Sequence, residues 1–285
     1  MKVKIIAVLG AGTMGSDVAL DLAVHDYDVI LKDRSEDALK RARDRIRQNF
    51  KLFKILRKDW GHLSVDSLLP RITFTLGYEN FELVDMVIEN ITEDIAAKES
   101  LYRELGGICR ADVLYGVNTS CIPITRISEI LPKPENVIGL HFLNPVPLKK
   151  LVEVILGKYT SEETLALTKV FLESMGKTWA VVKDSPGFVT NRVLMLTINE
   201  CAALVEEGIA GPGTIDTIFT QGFSHKMGPL ATADLIGLDT ILASLKVLCT
   251  SFEDPKFKPS PLLEKMVQEG LLGKKSGKGF FVYKS

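Results

Sequence analysis

The feature that most limits what this chain can fold into lies in its first 33 residues. Val3-Lys4-Ile5-Ile6-Ala7-Val8-Leu9 is a short apolar run that ends in Gly10-Ala11-Gly12-Thr13-Met14-Gly15. A helical pattern follows over 16–24, with Val18, Ala19, Leu22 and Ala23 on one face, and 28–33 reads as a second strand closed by Asp33. A G-x-G-x-x-G alone is a weak signal. Set between a strand and a helix, with an acidic residue roughly 20 positions after the first glycine, it defines a dinucleotide-binding βαβ unit.

Each residue type in that unit has a physical reason. Gly10 permits the tight turn, Gly12 lets a pyrophosphate come up to the backbone, and Gly15 lets the helix pack on the strand. The helix N-terminus, through Thr13 and Met14, offers amide donors to phosphate. Asp33 can accept from both ribose hydroxyls and repels a 2′-phosphate, which selects NAD. Arg34 beside it is the residue that would partly rescue NADP.

A second constraint sits at 137–155, which reads as a strand, a turn carrying Pro145 and Pro147, and a returning strand. Glu153 is flanked by Leu151, Val152, Val154 and Ile155, so it is a carboxylate set in an apolar strand and needs a partner. The turn brings it back toward His141. A histidine polarised by a carboxylate is a general base, although a purely structural pair under a turn has the same sequence pattern.

The remainder of 1–184 alternates strand and helix patterns. Strands are expected at 71–76, 84–89, 113–117 and 178–182, with helices at 98–105, 124–130 and 161–175. Residues 36–60 read as one long helix rich in Lys and Arg. Its default meaning is a solvated face; its alternative is a landing site for an anionic partner through Lys51, Lys54, Arg57 and Lys58. Asp184-Ser185-Pro186-Gly187 breaks the pattern, and helices are expected after it at 189–207, 214–222, 232–251 and 261–269. The 189–207 stretch is apolar nearly all round and calls for burial on several sides, by a second subunit among other things. The fold class is therefore α/β: a Rossmann-type doubly wound sheet over 1–184, then an all-α domain over 185–285 for substrate and dimerisation.

Bulk properties narrow the function classes. The formal net charge of −1 offers nothing general to nucleic acid, and no apolar run reaches the ~18 residues of a membrane span. The four cysteines are scattered without metal-ligand spacing, so no metal is expected. Free thiols and the lack of a leader pattern give a cytoplasmic expectation. His25, His62 and His225 lack chemical context and are read as structural or surface residues.

Taken together, Gly10–Gly15, Asn118-Thr119-Ser120, His141-Phe142-Leu143-Asn144-Pro145, the run from Asp184 to Arg192, Met227-Gly228-Pro229 to Asp239, and Lys275 to Phe280 resemble the L-3-hydroxyacyl-CoA dehydrogenase family over nearly the whole chain. The resemblance implies a Rossmann domain followed by a helical domain that commonly forms a dimer interface. It implies His141 as base with Glu153 as its partner, and Ser120 and Asn191 as holders of the substrate's hydroxyl and thioester region, with Asn144 beside them. It implies cofactor contacts at Asp33, Glu93, Lys98 and Asn118. The thioester carrier stays open between coenzyme A and an acyl carrier protein. The segments 118–127 and 225–240 look closer to members that oxidise a carrier-tethered glyceryl unit in polyketide pathways, and Lys51 and Lys54 would serve either carrier. Leu143 and Cys121 depart from many fatty-acid members, which leaves the acyl specificity open. Two rivals are a lysine-based dehydrogenase of the hydroxyisobutyrate or phosphogluconate type and a non-catalytic NAD-binding protein. The Asn191-Arg192 stretch and the presence of base, partner and holders speak against them.

Overall fold

The computed structural model describes residues 3–283, which form two compact units that divide between Asp184 and Ser185. The first is built on one eight-stranded sheet in the order β3-β2-β1-β4-β5-β6-β7-β8. Its elements are β1 (Ile5–Leu9), α1 (Thr13–Val24), β2 (Asp28–Lys32), α2 (Glu36–Leu56), α3 (Val65–Leu68), β3 (Ile72–Thr75), β4 (Met86–Glu89), α4 (Ile95–Ile108), β5 (Leu114–Val117), α5 (Ile124–Ser128), β6 (Val137–Phe142), β7 (Leu151–Leu156), α6 (Glu162–Ser174) and β8 (Thr178–Lys183). Strands β1 to β6 run parallel; β7 is antiparallel to β6, and β8 is parallel to β7. Strands β4, β5 and β6 are buried along their whole length, which is why they read as continuous apolar runs rather than alternating ones.

The strand order reverses direction at β1, with β2 on one side and β4 on the other. In open α/β sheets the ligand crevice opens at such a switch point, outside the carboxyl ends of the strands. The loops Gly10–Gly12 and Asn90–Asp94 leave the sheet there. Helix α1 starts at Thr13, three residues ahead of the sequence expectation, because the glycine loop itself supplies its N-terminus.

The basic helix is shorter than expected. It ends at Leu56, and residues 58–60 form a separate 3-10 turn that carries Trp60 inward to stack on Phe50. Lys54 donates to the Leu63 carbonyl, and Arg57 pairs with Asp59 and donates to the Pro147 carbonyl, whereas Lys51 and Lys58 stay exposed. The landing-site reading thus rests on fewer open cations than the sequence suggested.

The second unit comprises α7 (Thr190–Glu206), α8 (Pro212–Thr217), α9 (Pro229–Ile236), α10 (Leu238–Phe252) and α11 (Pro261–Gln268). The single helix expected at 232–251 is two helices bent by 98° at Gly237, whose φ of +107° lies where a residue with a Cβ is strained. Met195, Ile198, Leu238, Ile241, Leu245 and Phe257 form its core. Asp216 accepts the amides of Leu230 and Ala231 at the start of α9, and Asp234 accepts those of Phe280 and Phe281, which ties the Lys/Gly turn and aromatic tail to the bundle. Of the apolar residues around α7, Met195, Ile198, Cys201 and Ala202 are buried, while Val189 and Val193 are more than half exposed. No single helix among the described residues is long and apolar enough to cross a membrane.

Candidate active site

Two structural facts bring His141 and Glu153 together. The antiparallel ladder between β6 and β7 places His141 directly opposite Glu153, so both side chains emerge on the same face of the sheet. There His141 Nδ1 lies 3.0 Å from Glu153 Oε2, with both side chains buried. A neutral imidazole whose Nδ1–H donates to the carboxylate leaves Nε2 as the acceptor. Ser120 Oγ sits 3.3 Å from that Nε2.

Ser120 is held from behind. Glu93, in the loop after β4, turns its Oε1 into the loop after β5 and accepts the Thr119 hydroxyl and the amides of Ser120 and Cys121, at 3.0 and 2.8 Å for the amides. Asn118 ties the same region together, donating to Asn90 Oδ1 at 2.6 Å and accepting the Phe142 amide at 3.2 Å. Loops that end three adjacent parallel strands are thereby locked to one another around His141.

The three glycines of the loop differ in how much room each has. A Cβ on Gly15 would come within 1.8 Å of the Gly10 carbonyl oxygen, and one on Gly10 within 2.7 Å of the Asn90 carbonyl oxygen. A Cβ on Gly12 would meet nothing, and its φ of −73° suits any residue. Nothing among the described residues therefore requires glycine at position 12, and the space beside it is open to a group that approaches from outside. Asp33 accepts the Ala11 amide on one oxygen and the Ser35 amide on the other, which orients its carboxylate at the rim of a cleft of about 500 Å³. Gly10, Gly12, Arg34, Asn90 and Thr92 also line this cleft. The residues fit a dinucleotide with its pyrophosphate at Gly12 and a ribose at Asp33.

Replacing Gly12 with alanine is expected to keep the melting temperature and weaken NADH binding at least tenfold. Gly15→Ala is expected to lower the melting temperature itself. Fluorescence titration with NADH, together with thermal melts, separates the two; equal binding by Gly12→Ala and wild type would remove the pyrophosphate from this loop.

The other expected site residues are dispersed over the chain's elements. Lys98 is fully buried, with its Nζ 2.7 Å from both oxygens of Glu89 and 4.0 Å from Glu93 Oε2. It is an ion-pair partner of those carboxylates and not an exposed cation. Asn144 is exposed in the turn after β6. Lys51, with Phe50, Lys54 and Leu63, lines a separate groove between α2 and α3. Asn191 belongs to the second unit, in the first turn of α7. Glu89, Asn90 and Thr119 have no role assigned from the sequence, yet each organises these loops. The signal for Glu89 was a charge at the end of an otherwise apolar strand, Met86-Val87-Ile88-Glu89, which implies a buried partner.

A switch-point cleft with a glycine cradle, an acidic ribose acceptor and a carboxylate-backed histidine defines an NAD-dependent dehydrogenase. Comparison with known proteins specifies which. Residues 5–185 match the NAD binding domain of 3-hydroxyacyl-CoA dehydrogenase and residues 187–283 its C-terminal domain, so the chain belongs to the 3-hydroxyacyl-CoA dehydrogenase family. It is 44% identical over 276 residues to a probable 3-hydroxybutyryl-CoA dehydrogenase of Deinococcus radiodurans, covering 97% of this chain and 99% of that one. It is 39% identical to the 3-hydroxybutyryl-CoA dehydrogenase of Clostridioides difficile, covering 98% and 99% of the two chains. The crystal structure of (S)-3-hydroxybutyryl-CoA dehydrogenase from Ralstonia eutropha is similar with a TM-score of 0.91, at 37% identity and full coverage of both chains.

Proposed function

We propose that this protein oxidises a short L-3-hydroxyacyl-CoA to the 3-oxoacyl-CoA, with 3-hydroxybutyryl-CoA as the first substrate to test. The observation that carries the reading is the His141–Glu153 pair, set by strand register, with Ser120 Oγ 3.3 Å from Nε2 of the imidazole. NAD, when bound, would supply the hydride acceptor for the hydroxyl-bearing carbon. His141 Nε2 takes the hydroxyl proton, and the Glu153 carboxylate stabilises the imidazolium that results. Ser120 holds the substrate hydroxyl at that nitrogen, which places the carbon for transfer. Asn191 and Asn144 are assigned to the thioester side, and Lys51 and Lys54 to the carrier's phosphates. Glu93, Lys98 and Asn118 support the cofactor crevice by holding its loops.

Coenzyme A is favoured over a carrier protein because the relatives are named for coenzyme A substrates. A homodimer through the second unit is supported by the exposed Val189 and Val193 on α7 and its approach. A cytoplasmic location is supported by the scattered, widely spaced cysteines.

The deciding experiment compares kcat/KM for 3-hydroxybutyryl-CoA and for a glyceryl-loaded carrier protein, each with NAD and with NADP. The expected result is turnover of the coenzyme A substrate with NAD, and a large loss with NADP because Asp33 repels the extra phosphate. Faster turnover of the carrier substrate by orders of magnitude would overturn the substrate assignment.

A further inference from the structure

The turn joining β6 to β7 is gripped by buried charges that the reaction itself does not use. Lys177, just before β8, is 5% exposed. Its ammonium donates to the carbonyls of Val146 at 2.6 Å and Lys149 at 3.0 Å. The same Nζ lies 2.6 Å from Oδ2 of Asp21, which is fully buried on α1. Neither Asp21 oxygen makes an aligned hydrogen bond among the described residues, so the Lys177 charge is the main group holding that carboxylate, with His25 Nδ1 at 3.6 Å from its other oxygen. One helical turn earlier, Asp17 accepts from Asn49 Nδ2 at 2.7 Å and faces the Val146 amide. Burial pushes the Asp17 carboxyl up to about 6, with Asn49, Arg45 and the Val146 amide drawing it down and Asp21 raising it. Arg57 adds a hydrogen bond to the Pro147 carbonyl at 2.6 Å.

Three backbone carbonyls within a few residues are thus held by two cations from other parts of the first unit. An apolar turn would close the hairpin without the desolvation cost of burying a lysine and an aspartate. What the charges add is direction: an ammonium fixes several carbonyls at once, in a low-dielectric setting where such contacts are stiff. This turn carries Asn144 and connects the strands of His141 and Glu153.

We propose that Lys177, anchored by Asp21, is a positioning residue for the dehydrogenase reaction, holding the β6–β7 turn so that Asn144 and the His141–Glu153 pair keep their reactive arrangement. The proposal rests on the assignment of His141 and Glu153 as base and partner.

The test uses Asp21→Asn combined with Lys177→Met, which removes both charges at similar volume and leaves neither one buried alone. Lys177→Arg is made alongside, since it keeps the charge that Asp21 needs. In the double variant, kcat at 25 °C should fall about tenfold or more, because sub-ångström misplacement of reacting groups is costly. KM and NADH affinity should stay close to wild type. Lys177→Arg should retain more activity than the double variant but less than wild type, since a planar fork cannot reproduce the ammonium's geometry. A role in stability alone would lower the melting temperature and leave kcat unchanged. Wild-type kcat in a folded double variant overturns the proposal. If the double variant does not fold, Lys177→Arg decides: reduced kcat at unchanged KM supports it, and wild-type kcat overturns it. His141→Ala measured in parallel separates the two readings. An active His141→Ala defeats the base assignment, whereas an inactive one beside a fully active double variant defeats only the clamp.

Discussion

His141→Ala is expected to lower kcat by about 10²–10⁴-fold at neutral pH, the range that a positioned general base supplies. NADH affinity should be unchanged, because the Ala11 and Ser35 amides orient the Asp33 carboxylate at the cleft. The alanine also leaves Glu153 without its 3.0 Å imidazole partner, so a modest loss of stability accompanies the loss of rate. Stopped-flow measurement of NADH formation at saturating substrate isolates the chemical step, and NADH fluorescence titration reports cofactor affinity. Near-wild-type turnover in this variant would remove His141 from the mechanism. A loss confined to KM would make it a binding residue.

Lys98→Met is expected to cost about 3–5 kcal/mol of stability, the usual consequence of leaving one member of a buried ion pair alone. Lys98 and Glu89 are both fully buried and meet at 2.7 Å. Desolvation already raises the Glu89 carboxyl above the usual carboxylate range, against the opposing pull of Lys98 and the Ile91 amide. Removing Lys98 raises it further. A carboxyl whose pKa is higher in the folded than in the unfolded state binds its proton more tightly when folded, so stability falls as pH rises through the window between the two values. The deficit of Lys98→Met should therefore be largest near pH 8 and shrink toward pH 5. Glu89→Gln added to Lys98→Met should recover much of it, since no buried charge remains. Thermal melts at the two pH values check this, and a variant as stable as wild type at pH 8 would contradict it. Because Glu89 also accepts the Ile91 amide at 2.6 Å, the loop beside Gly10 loosens with the pair, and NADH binding weakens in step.

Both variants touch parts of the molecule that differ in how visible they are in the chain. His141 and Glu153 were legible because an apolar strand isolates a carboxylate and a double-proline turn returns it toward the histidine. Glu89 and Lys98 were not paired in advance, since the βα loop that brings them together has no fixed geometry in sequence. The Lys98 ammonium reads from sequence as a cofactor contact and is instead buried against Glu89, with Glu93 at 4.0 Å.

The residues alone determined the βαβ unit, because glycine spacing and strand–helix periodicity are local properties with few structural solutions. They likewise determined the break at Asp184 and the helical character that follows it. Only the tertiary structure decided which polar groups are buried. Asp17 and Asp21 look like an ordinary solvated i, i+4 pair on a helix, and become buried because α1 is covered by α2 and by the β6–β7 turn. Lys54 and Arg57 look like open cations and are drawn onto backbone carbonyls by the early end of α2. Periodicity records which way a side chain points from its own element; what it meets there depends on elements distant in the chain, and that is where charge becomes structure.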